Sequence, residues 1–157
     1  MVLFFYIVLN VLALFLFIKK KKMLHILEII VYWMISTYLY QNFSAICFMN
    51  FKTLIVPEKL SLEFSHFLNR TILFPIIMVI FLHFFLILTT NWKKFLLFGS
   101  FVFFLTGLEY LSDLLGVLIH KHWRVWWSFA YWVATLSVLL VCMRFFRRIL
   151  YKGGNHL

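Results

Sequence analysis

The chain has 157 residues, of which 65% are hydrophobic and 22% aromatic, with 21 Phe. A soluble domain of this size could not keep so much apolar surface from water. Its 15 basic residues against 5 acidic ones fall in short clusters between apolar runs, the pattern of membrane topology signals and not of nucleic-acid binding.

A spanning helix needs about 20 mostly apolar residues. The continuous apolar runs predict five, at about 2–18, 24–42, 71–90, 95–119 and 125–143. They do not alternate, which argues against barrel strands. The first run has no basic residue before it and a tetralysine, Lys19–Lys22, after it. That polarity suits a retained helix with its N-terminus outside, not a signal peptide. With five spans the inner segments then hold ten basic residues, Lys19–Lys22, Lys93, Lys94, Arg144, Arg147, Arg148 and Lys152, against five outside, Lys52, Lys59, Arg70, Lys121 and Arg124. The bias places the C-terminus in the cytoplasm.

The longest connection, about 43–70, is expected outside, with several apolar residues and Pro57 ending one element. From Ser61 a helix carrying Glu63, His66 and Arg70 runs on into the third span. After the last span the basic tail continues the helix until Gly153-Gly154 stops it, close to anionic headgroups. Cys47 and Cys142 fall near opposite faces of the bilayer, too far apart for a disulfide.

The polar residues inside these runs must face other helices or a water-filled cleft, because a charge facing lipid costs about 2.5–3.5 kcal/mol even on insertion scales. On the fourth span Gly99, Thr106, Glu109, Tyr110, Asp113, Gly116 and His120 share one arc. On the fifth, Ala130, Ala134 and Ser137 form a small-residue face, and the two spans are expected to pack there as a hairpin. By helix rise Glu109 lies about 20 Å from the cytoplasmic end and Asp113 about 27 Å. Asp113 thus comes near His120, His122, Trp123, Arg124, Trp127 and Ser128 in a candidate polar cluster at the outer side. Arg124, His120 or a group on the second or third span is the expected partner of Glu109. A second candidate pair is Glu28 and His83, which share a depth near the inner end. No phosphate-binding glycine loop, HExxH or GxSxG is present. No metal site, catalytic set or cofactor is assigned. His120-Lys-His122 is a spacing that chance supplies often.

Glu109, Gly116, His120, Trp123, Trp126, Trp127 and Ser128 read E-x6-G-x3-H-x2-W-x2-W-W-S. This resembles the signature of a family of small integral membrane proteins of Bacillus, Clostridium and related spore-formers, mostly uncharacterised. The five-span plan is similar too. Lys19–Lys22 depart from the tryptophans and acidic residues that the resemblance leads one to expect after the first helix. The resemblance implies a bacterial plasma membrane and supplies no reaction.

The expected fold is therefore an all-α, polytopic transmembrane bundle forming a single membrane domain. The leading functional expectation is a non-enzymatic membrane protein. Its outer polar and Trp cluster would hold a lipid of the bilayer, another membrane protein, a second copy of itself or its own hairpin. The alternatives are a small transporter or channel subunit with Glu109 and Asp113 lining a polar path, and a membrane-embedded enzyme using Glu109, Asp113 and His120.

Overall fold

The computed structural model describes residues 1–19, 24–49, 54–55, 57, 59–121 and 124–152, with Phe48, Leu54, Ile55, His120 and Lys152 described in backbone only. Lys20–Lys22, Lys52, His122, Trp123 and Gly153-Gly154 lie outside these residues. Five helices carry the described chain: α1, Val2–Lys19; α2, Ile26–Met49; α3, Leu60–Ile87; α4, Asn91–Leu114; and α5, Val125–Lys152. α1, α3, α4 and α5 are long and apolar enough to cross a membrane. α2 is as long as α4, but its polar residues, among them Glu28, Gln41 and Asn42, keep it outside those four.

α3 is the central helix, and each of the others touches it. Its residues Leu73–Val79, Phe81, Leu82 and His83 are buried almost all the way round, as expected of a helix enclosed by others. The first part of α3 joins the predicted third span without a break, as expected from Ser61 onward. A π-helical turn at Asn69–Leu73 marks the join, with the Phe74 N–H bonded to the Asn69 carbonyl. This turn precedes Pro75, which has no N–H to offer the Thr71 carbonyl four residues back. Trp33 Nε1 of α2 donates to that carbonyl at 3.1 Å. A side chain from the neighbouring helix thus serves the group that the proline leaves open, a known way to stabilise a helix irregularity.

Two of the predicted bounds change for physical reasons. α2 runs to Met49, seven residues beyond the expected 42, because Ser44 and Cys47 continue its buried face. α4 ends at Leu114 and not at 119. Gly116 adopts φ +66, a left-handed conformation open to glycine. The Gly116 N–H bonds the Asp113 carbonyl at 2.9 Å, and the Val117 and Leu118 N–H groups bond the Ser112 carbonyl at 2.9 and 3.2 Å. The chain reverses there and returns Val117 and Leu118 to the interior. It then forms β2, Ile119–His120, which pairs antiparallel with β1, Leu54–Ile55. This bridge places the segments after α2 and after α4 at one end of the bundle. Lys19, Lys93, Lys94 and the arginines of α5 mark the other, basic end.

The bundle is apolar on the outside as well as in its core. Phe4, Val8, Val11 and Phe15 of α1, Ile26, Ile30 and Met34 of α2, and Phe103 and Phe104 of α4 are all exposed. Polar side chains take the interior instead. On α2, Glu28, Tyr32, Ser36, Tyr40 and Ser44 recur every fourth residue along the buried face. Such an inverted pattern is what a hydrocarbon solvent selects.

Candidate functional site

Glu109 is 2% exposed, in the half of the bundle nearer the β bridge. Helical phasing on α4 brings it to the interior together with Val102, Leu105 and Ser112. Its Oε2 accepts a hydrogen bond of 2.8 Å from Trp132 Nε1 on α5. The indole of the last helix, outside the expected set of Arg124, His120 and groups on the second or third span, is thus one partner of Glu109; the His120 side chain lies outside the described residues. Arg124 is exposed at the bundle end, whereas a buried indole N–H itself requires an acceptor. Trp132 is fully buried and stacks on Tyr40 at 5.7 Å and Phe74 at 5.1 Å between ring centroids. The expected small-residue seam is corrected too. Ala130, Ala134 and Ser137 are exposed, and α5 turns Ser128, Trp132, Thr135, Leu136 and Leu139 inward. An indole that must reach a carboxylate fixes the rotation of α5 more strongly than small residues do.

Beside this pair, the Tyr6 hydroxyl of α1 donates to Ser112 Oγ at 2.9 Å, and Ser112 Oγ donates to the Leu108 carbonyl at 3.0 Å. Asn10 Nδ2 bonds the Tyr6 carbonyl at 2.7 Å. The Tyr6–Ser112 bond ties α1 to α4.

The remaining described members of the expected outer cluster lie at the bridge end of the α4–α5 hairpin. Asp113 is half-buried in the last turn of α4, Ser128 is buried, and Arg124 and Trp127 are exposed. Trp126 and Trp127 meet edge to face at 6.4 Å. Tyr110, expected on the polar arc, is exposed instead. The His120 side chain, His122 and Trp123 lie outside what the structure describes.

At the basic end Glu28 is fully buried and meets Arg147 of α5, whose Nε lies 3.0 Å from Oε1. The Tyr32 hydroxyl donates to the same oxygen at 3.3 Å, and the His25 backbone N–H donates to Oε2 at 2.8 Å. The candidate pairing of Glu28 with His83 thus gives way to an ion pair across the bundle. His83 is buried on α3 and lines a mostly apolar cavity of 180 Å³ with Leu16, Phe17 and Ile29.

A larger cavity, of 520 Å³, opens between α2 and the first part of α3, toward the bridge end. Gln41 and Ser44 of α2 and Glu63, His66 and Arg70 of α3 supply its polar lining. Ser44 and His66 are buried and Arg70 is half-buried, while Glu63 reaches the surface. Exposed Phe64 and Phe67 stand at its rim, and the Arg70 guanidinium lies 5.6 Å from the centre of the Phe67 ring. Glu63, His66 and Arg70 follow one another at intervals of three and four residues, which puts them on one helix face. That spacing is readable in the sequence, which shows the shared face but not the helix it meets. The cavity adjoins the π-helical turn, a feature found frequently at functional sites. Its chemistry is that of a polar floor under an apolar rim, with a cation and a carboxylate separated by about 10 Å of helix rise. Among the described residues no three His, Cys, Asp or Glu side chains gather as a metal site.

Comparison of the chain with protein-family models, curated proteins and solved structures finds no match.

Proposed function

We propose that this is a five-span protein of a bacterial plasma membrane, N-terminus outside and C-terminus in the cytoplasm. It binds a membrane-dissolved amphiphile in the lateral cavity between α2 and α3 and catalyses no reaction there. The cavity carries this reading: buried Ser44 and His66 lie beneath exposed Phe64 and Phe67, an arrangement suited to a polar head and an apolar tail. The inverted pattern of α2, polar inward and apolar outward, supports counting it as the fifth span. A transport role for Glu109 has less support, because its carboxylate is buried against Trp132.

The test is photocrosslinking with a phospholipid that carries a photoactivatable acyl chain, in proteoliposomes. Crosslinks are expected on residues 41–49 and 60–70. Ser44→Leu and Arg70→Gln should each lower their yield by about tenfold, the effect of losing one good polar contact. Crosslinks spread evenly over all helix surfaces, or a yield untouched by both substitutions, would reject the proposal. Orientation is tested separately with Lys121→Cys in a Cys47→Ala, Cys142→Ala background. An impermeant thiol reagent added to intact cells should label it.

A further inference from the structure

A cavity of 460 Å³ lies at the basic end, remote from the amphiphile pocket, where the end of α3, the start of α4 and α5 meet. Lys94, Arg144, Arg147 and Arg148 surround it, over apolar Phe85 and Met143. The three arginines follow at the i, i+3 and i+4 spacing that makes them neighbours on one helix surface. Like charges so placed repel one another. Glu28 answers Arg147, and among the described residues no acidic one lines the cavity. The Lys94 ammonium is held 5.2 Å from the centre of the Phe85 ring, and Arg147 rests 5.2 Å from that of Tyr151. Both are thus fixed in place around the opening. The chain holds three further cations, Lys94, Arg144 and Arg148, in positions that an anion would stabilise.

The surroundings select the kind of anion. The rest of the cavity's lining, Phe85, Leu86 and Met143, is apolar. A free phosphate ion has no use for such a floor, whereas acyl chains beneath a headgroup do. Arginine forks match phosphate oxygens in pairs, and basic pockets between spanning helices recognise anionic headgroups. We propose that this cavity is a binding site for the phosphate headgroup of an anionic phospholipid. It stands independently of the amphiphile pocket at the other end.

Native mass spectrometry of the full chain, taken from nanodiscs of equimolar phosphatidylglycerol and phosphatidylcholine, tests this. The wild-type chain should retain phosphatidylglycerol over phosphatidylcholine by at least about tenfold, given three cations near the headgroup. The triple variant Lys94→Gln, Arg144→Gln, Arg148→Gln should fall to parity. The control Lys59→Gln, Lys121→Gln at the opposite end should keep the preference. A second measurement needs no variant: the melting temperature of the wild-type chain should rise when phosphatidylglycerol replaces part of a phosphatidylcholine bilayer. Parity in the wild-type chain, equal loss in both variants, or no rise in melting temperature would each overturn the site. Displacement of the lipid by inorganic phosphate at constant ionic strength would also overturn it, by assigning the cavity to a free ion.

Discussion

Glu28 and Glu109 are both buried carboxylates, and the bundle brings them different donors. Glu28 receives a guanidinium, a phenol and a backbone N–H. Glu109 receives the neutral N–H of Trp132 within an aromatic cluster. Arg147 stands near the basic end with its side chain 30% exposed, so its guanidinium is only partly removed from water. Trp132 is fully buried, and its indole brings Glu109 a donor fixed by ring stacking. One residue type at two depths thus meets two kinds of donor.

The largest test of this contrast is Arg147→Ala, which strips a fully buried carboxylate of its cation. A destabilisation of about 3–5 kcal/mol is expected, read by steric-trapping unfolding in bicelles. The double change Glu28→Gln, Arg147→Gln should recover much of that loss, since it leaves no buried charge alone. Recovery of nothing would mean that Arg147 acts through packing and not through its charge. Next is Trp132→Phe, which keeps the ring cluster but removes the donor to Glu109. The expected loss is about 1–3 kcal/mol, the penalty for a buried polar group deprived of a partner. Smaller again is Tyr32→Phe, where Glu28 keeps Arg147 and the His25 N–H. About 1 kcal/mol is expected, in line with a single hydrogen bond. Smallest is Glu109→Gln, whose side-chain carbonyl still accepts from Trp132, with a change within about 1 kcal/mol. A loss for Glu109→Gln as large as that for Arg147→Ala would show that Glu109 depends on its charge, and the contrast would fail.

Some of this was legible from residue spacing. The phase of α4 turned Glu109 inward, and the run from Ser61 joined Glu63, His66 and Arg70 to a helix long and apolar enough to span. The presence of helices long and apolar enough to span followed from apolar run length. What was missed shares one cause: it depends on which face of one helix meets which face of another. Small residues on α5 suggested a seam at Ala130 and Ala134, but the need of Trp132 for an acceptor turned the helix the other way. Gly116 was expected within the fourth span, on its polar arc, whereas its left-handed backbone ends the helix. The reach of Arg147 to Glu28 joins residues 119 positions apart, and no periodicity within either helix reports such a pairing. The α2–α3 pocket is illegible for the same reason, since two of its polar lining residues come from α2 and three from α3.

The bond from Trp33 to the Thr71 carbonyl has a mechanical consequence. It pins α2 to α3 at the proline-interrupted turn, a few residues below the floor of the lateral cavity. The bond acts as a rivet between the two helices: it fixes their register between the cavity at one end and the Glu28–Arg147 ion pair at the other.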